Sequence, residues 1–224
     1  MLPTDLAPPM ETHEDGAPNR APMAPLPSPR RPGDTSVPLR SHAHARWSPT
    51  RFHIHRDLTD EEVTALMEAA RWAPSTYGEE PWRFIVARRR DPWRQAVEAA
   101  LVPGNAWARD ASVLVVGMTS NNLSRNGKEN RMATHDLGIA LGGILGEATS
   151  RGLATHPMGG FRSDAIRTAF QVPDEVDIRW VLAVGHYDPR RDDPELSAKD
   201  ARPRRRRPLR ETVFGPRYGV SPER

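Results

Sequence analysis

The run Ala111 to Thr119 (ASVLVVGMT) constrains this chain more than any other feature. It is continuous rather than alternating and rich in valine, so it predicts a strand covered on both faces. Such a strand needs helices on either side of its sheet, and the flanking sequence supplies them. Thr59-Asp60-Glu61-Glu62 reads as a capping box, with a threonine oxygen accepting from the third helical amide while Glu62 reaches back. Val63, Leu66, Met67 and Ala70 recur at helical spacing, which predicts a helix to about Arg71, stopped by Pro74. Trp82 to Arg88 (WRFIVAR) reads as a strand. Asp91-Pro92 reads as a cap with proline at the first helical position, opening a helix to about Leu101.

A polar loop with Asn121, Asn122, Asn126 and Gly127 follows the valine-rich run. Met132 to Ser150 then predicts a long helix, ended by Gly152 at the C′ position. Its glycines Gly138, Gly142, Gly143 and Gly146 each cost roughly 1 kcal/mol of helix propensity. A helix that carries this cost with little polar face is expected to be buried against another backbone, one that a second subunit could supply. Leu153 to Met158 suggests a short strand, Ser163 to Phe170 a short helix, and Arg179 to His186 a last strand. Helix and strand alternate through the core, which predicts an α+β sandwich of helices around one sheet. There is no internal repeat.

The chain has 224 residues and no cysteine, which excludes a disulfide scaffold, a thiolate nucleophile and Cys-ligated metal sites. No stretch approaches the length of a membrane span. Much of the proline lies between Met1 and Arg40, a segment too poor in aliphatic residues to offset chain entropy and therefore expected to be disordered. It lacks the apolar core of a secretory signal, so a cytoplasmic protein is expected. Nearly all the basic residues are arginine, and they cluster in RPRRRRPLR between Arg202 and Arg210. That run suits nucleic acid, an anionic surface or a phosphate-bearing cofactor. No nucleic-acid-binding motif accompanies it.

Three short stretches carry the candidate chemistry: Arg46 to Phe52, Ala73 to Trp82, and Gly152 to Phe161. In this order, around this pattern of elements, they resemble the FMN-dependent nitroreductase family. The resemblance runs from about Arg46 to Phe214, and its most specific piece is EAARWAPSTYGEEPWRFIVA. It implies a nitroreductase-like sandwich around a central mixed sheet, built as an intertwined homodimer with FMN at the subunit interface. Residues 1–40 are then a disordered tail, 41–188 the FMN-binding domain, and 189–224 an arginine-rich arm that completes the FMN site and the dimer.

The resemblance also implies roles for single residues. Arg46 and Ser48 match the pair that holds the FMN phosphate, a task suited to a guanidinium that can grip through two parallel bonds. Pro74, Ser75 and Thr76 match a loop laid against the flavin from the partner subunit. Asn105 matches an asparagine on the pyrimidine edge, and Gly159 and Gly160 a turn whose amides face flavin N5 and O4. Arg204 and Arg206 best fit a basic pair that closes on the phosphate, with Arg205 and Arg207 the alternative register. Thr50 stands where the family has a cation, with Arg51 one step along as a substitute. Glu80 replaces the usual glutamine, with Arg83 as a possible ion partner, and Gly78 replaces an asparagine.

The implied activity is ping-pong hydride transfer from NADH or NADPH through flavin N5 to an electron-poor acceptor, a nitroaromatic or quinone. No catalytic side chain is required, since the cofactor does the chemistry. His156, beside the glycine turn, is the candidate for touching substrate. The alternatives are a flavin-binding or regulatory relative without efficient turnover, to which Thr50 and Glu80 point, and a nucleic-acid or protein binder using the arginine run and the proline-rich head. His42, His44, His53 and His55 lack the carboxylate spacing of a metal site. His135-Asp136 reads either as an acid–base pair or as a helix-start charge favoured by the dipole.

Overall fold

The structure, a computed structural model, describes residues 35–39 and 42–222. Most of the tail expected at 1–40 lies outside them. The elements are α1 (His42–Ala45), α2 (Asp60–Arg71), β1 (Trp82–Arg88), α3 (Arg94–Ala100), β2 (Val113–Ser120), α4 (Ala133–Ser150), β3 (Ala154–Met158), α5 (Ser163–Phe170), β4 (Val176–Gly185) and α6 (Pro194–Asp200). Short 3-10 turns occupy Thr76–Gly78, Pro103–Asp110 and Leu209–Glu211.

The sheet has the order β1-β2-β4-β3, and each neighbouring pair is antiparallel. This corrects the expectation of a mixed sheet. β2 and β3 do run in the same direction, joined through α4, but β4 inserts between them and they never pair. The valine-rich run is covered on both faces as read. Val113 and Val115 pack with Leu66, Leu137, Ile144, Leu182 and Val184 on the α2/α4 side. Leu114 and Val116 pack with Val97, Trp107, Ile166, Val181 and Ala183 on the other. The pleat of β2 and β4 thus distributes one apolar run between two cores.

Local signals account for most boundaries. The α2 capping box is complete: the Glu62 amide donates to Thr59 Oγ1 at 3.1 Å, and the Thr59 amide to Glu62 Oε2 at 2.7 Å. Gly152, at φ 82°, ends α4 in the left-handed region, and the Leu153 amide returns to the Ala148 carbonyl at 2.8 Å. Asp91 differs from expectation. Its carboxylate accepts from the Arg88 amide at 2.7 Å and closes the turn after β1, so α3 begins only at Arg94, without a side-chain cap.

Arg94 itself is 3% exposed and donates to the carbonyls of Ala87, Arg109 and Ala111 at 2.9–3.2 Å and to Glu98 Oε1 at 2.7 Å. One guanidinium therefore ties α3 to the end of β1 and to the turn before β2. The glycines of α4 divide by face. A Cβ on Gly143 would lie 2.5 Å from the Ala69 carbonyl oxygen, so this glycine lets α2 and α4 touch backbone to backbone within the chain. Gly138 and Gly142 face open space. Among the described residues no helix is long and apolar enough to cross a membrane.

Candidate functional site

Residues 46–52 form a strap that meets β3 at His156 through Pro49 and the chain just after β4 at Tyr187 through Phe52. The backbone bridge between Phe52 and Tyr187 fixes its far end. Its middle is fixed by Asp200, the last residue of α6. The Thr50 amide donates to Asp200 Oδ1 at 2.7 Å, the Thr50 hydroxyl meets the same oxygen at 2.8 Å, and Arg51 Nε donates to Oδ2 at 3.2 Å. Arg51 also reaches Ser197 Oγ and the Tyr187 hydroxyl. Burial pulls its pKa down, but the Asp200 hydrogen bond and the Tyr187 and Asp200 charges outweigh it and raise the pKa. The Thr50 and Arg51 side chains are thus spent on anchoring the strap.

Anchoring leaves the near end of the strap to Arg46. Its Nη1 donates to Ser48 Oγ at 3.2 Å. Burial first, then repulsion from Arg204 and Arg206, lowers the Arg46 pKa. Arg204 is lowered in the same way by burial and by Arg206, and its Nη1 donates to the His44 carbonyl at 2.8 Å. Three guanidiniums from opposite ends of the chain therefore converge on one corner. An anion bound between them would relieve their mutual repulsion.

A second group joins this corner through His156. Its Nδ1 lies 2.9 Å from the Pro49 carbonyl, which can only accept, so Nδ1 carries the proton and Nε2 is left as the acceptor of a neutral ring. Burial is the main cause of its depressed pKa; the Pro49 carbonyl and Asp200 oppose this, and Arg46 adds to it. The ring packs on Trp107 at 4.5 Å between centroids. Two residues before Trp107, Asn105 donates from Nδ2 to the Gly160 carbonyl at 2.8 Å. A Cβ on Gly160 would sit 3.0 Å from that same Nδ2 and 3.2 Å from Val102 Cγ2, so a side chain there would press on Asn105. Gly159 is exposed, with nothing within 4 Å of its missing Cβ.

The third group stands apart. Ser75 Oγ accepts from the Glu80 amide at 3.1 Å, while the Thr76 amide donates to Asp136 Oδ2 at 2.9 Å. Asp136 is 1% exposed and also accepts from His135 Nδ1 at 2.9 Å. It is therefore the buried anchor of this loop, a role that neither reading of His135-Asp136 from sequence had given it. Pro74 is exposed, and Tyr77, Gly78 and Glu80 all have positive φ, at 55°, 68° and 44°. Such backbone strain concentrates at sites of function. Arg83 bonds the backbone carbonyl of Glu80 rather than its carboxylate.

This loop leads into β1 while Gly159 and Gly160 follow β3. These are the two edges of the sheet, about 14 Å apart at ordinary strand spacing. The structure thus brings together Arg46, Ser48, His156, Arg204 and Arg206, and joins Asn105 to Gly160. It leaves Pro74, Ser75 and Thr76 at the opposite edge. Sequence reasoning missed Asp200, although Asp193-Pro194 advertises the helix that carries it: Asp193 Oδ1 accepts from the Leu196 amide at 2.9 Å.

These features define an α+β protein with a cationic corner beside a glycine turn. Residues 43–186 match the model of the Nitroreductase family, and the chain belongs to that family. An uncharacterised 15.4 kDa protein of Mycolicibacterium smegmatis is 36% identical over 147 residues, spanning 61% of this chain and 97% of its own. A protein of Methanothermobacter thermautotrophicus with the provisional name NADH dehydrogenase/NAD(P)H nitroreductase is 30% identical over 140 residues, 61% of this chain and 71% of its own. Among solved structures, an oxidoreductase containing FMN superposes with a TM-score of 0.77 at 27% identity, covering 83% of this chain and 96% of that one. A provisionally named nitroreductase of Desulfovibrio desulfuricans, solved in complex with FMN, has a TM-score of 0.59 at 24% identity over 77% and 93% of the two chains, a likeness of fold.

Proposed function

We propose that this protein is an FMN-dependent NAD(P)H oxidoreductase acting on electron-poor small molecules such as quinones or nitroaromatics. The observation that carries the reading is the convergence of Arg46, Arg204 and Arg206, a donor set suited to a phosphate. The hydrogen bond from Asn105 to the Gly160 carbonyl, beside the open backbone of Gly159, supports it. Arg46, Ser48, Arg204 and Arg206 would hold the phosphate, and Asn105, Gly159 and Gly160 the ring. Bound FMN supplies hydride transfer from NAD(P)H to the acceptor. The strap, tied down at Thr50 by Asp200, keeps Arg46 in place for that anion. His156 sits against the strap carbonyl with Nε2 as its remaining polar atom, the one available to a substrate.

The reading includes a homodimer, because Pro74, Ser75 and Thr76 lie across the sheet from Gly159 and Gly160 within one chain. A second copy would bring the two groups together. A cytoplasmic setting goes with the same reading. Oxidation of NADH or NADPH by the purified protein with FMN and a quinone tests it. Sustained turnover is expected; a colourless protein that stays so after FMN is added removes the assignment.

One observation favours a second reading, a flavin-binding relative without efficient turnover. Thr50 and Arg51 are both committed to Asp200, so neither places a free cation beside a flavin. Reduced flavin tends to carry negative charge, which a nearby cation favours. Flavin bound tightly but reduced by NAD(P)H only slowly would select this reading.

A further inference from the structure

On the α2/α4 side of β3 lies a cavity of about 570 Å³, within the range of small-molecule sites. The cavity opens at the edge strand β3, where both Ala154 and Thr155 line it, whereas His156 faces Trp107 and does not border it. Of the candidate residues only Arg46 borders it. Leu153 and Ala154 supply apolar lining, and Trp47 and Tyr187, whose rings meet edge to face at 5.1 Å, supply aromatic lining.

The charge around this cavity is unbalanced. Arg46, Arg56, Arg151 and His186 line it against a single carboxylate, Glu62, which already accepts the Thr59 amide at 2.7 Å. Arg151 is held by Glu147 at 2.6 Å and faces Glu61 at 3.8 Å. Among the described residues the Arg56 guanidinium and the His186 ring make no hydrogen bond or ion pair. Burial and then Arg56 push His186 below the ordinary imidazole range, Glu62 working against them and His53 with them, so its ring is neutral and has both a donor and an acceptor to offer.

We infer that this cavity is a second ligand site for a small aromatic monocarboxylate, adjoining the proposed flavin site at Arg46. One uncommitted guanidinium and a neutral imidazole match a single negative charge better than a phosphate. The aromatic and aliphatic lining matches a ring. The inference does not depend on the flavin reading.

The test is a titration of the full-length, FMN-saturated protein with benzoate, followed by backbone amide NMR shifts, with benzyl alcohol as the neutral analogue. Benzoate is expected to move the amides of Gly152, Leu153, Thr155 and His186, and benzyl alcohol to leave them in place. Arg56→Ala, a change at an exposed position, should weaken the benzoate response about tenfold or more. His186→Phe, which keeps a ring but removes both nitrogens, should weaken it as well. The inference is overturned if those amides do not move, if both variants respond like the parent, or if shifts appear instead at Asn105, Gly159 and Gly160. The same amides are read whether or not the preparation retains flavin, so this inference and the flavin reading fail separately.

Discussion

Gly143→Ala tests the backbone contact that joins α2 to α4. The new Cβ would lie 2.5 Å from the Ala69 carbonyl oxygen, so the two helices must part by roughly 0.9 Å to restore ordinary contact at 3.4 Å. The obstacle is helical backbone, which cannot swing aside as a side chain would. Overpacking of this kind costs about 1–3 kcal/mol. Replacing glycine in a helix interior returns about 1 kcal/mol of propensity. The net expectation is a loss of about 1 kcal/mol, or a melting temperature about 2–4 °C lower for a chain of this size. Urea unfolding followed by circular dichroism, at fixed protein and flavin concentration, measures it. A variant as stable as the parent, or more stable, would refute the argument, because propensity alone would then govern the position.

Other perturbations probe other parts of the account. Arg94→Met removes the guanidinium shared by three carbonyls and Glu98, and should cost about 3–5 kcal/mol in the same unfolding assay; a loss below 1 kcal/mol would show that the buried charge is dispensable. Asp136→Ala leaves the Thr76 amide without its acceptor, at a cost of about 1–3 kcal/mol, and should speed hydrogen exchange at Thr76; unchanged exchange contradicts the anchoring role. Asp200→Ala should free the strap and weaken FMN binding while leaving the sheet intact, read by flavin titration alongside circular dichroism. His156 and His186 both have depressed pKa values, so the fold favours their neutral forms. Their contribution is complete above the unfolded value near 6.5 and is lost as pH falls through the lower folded values. Stability should therefore decline from pH 7 to pH 5, and less so in His156→Gln.

The parts of the fold that were legible in the sequence are those set by local rules. The capping box, the doubly covered valine run and the C′ glycine each depend on residues a few positions apart, and each stands where the pattern puts it. The two Asp-Pro pairs show where local rules stop. Asp193 caps α6, whereas the identical signal at Asp91 is diverted to the Arg88 amide, because there the chain must first turn out of β1. The mixed sheet came from the family resemblance and not from local patterns; within the chain β4 lies between β2 and β3, a long-range choice that periodicity does not encode. Within the candidate site, Asp200 and Asp136 were the least visible residues. Each acts across the fold, on Thr50 and Thr76, and a lone aspartate near a helix end looks alike whether it faces water or a buried amide.

The central claim is that three arginines from distant parts of the chain form a phosphate site. Comparing the affinity of the purified protein for FMN and for riboflavin tests it most directly, since the two differ only in the phosphate. Three charge-assisted contacts predict that FMN binds about a thousandfold more tightly, and that Arg204→Ala with Arg206→Ala removes about a hundredfold of the difference. Equal affinity for the two flavins, or a preference for FMN untouched by those substitutions, would contradict the account.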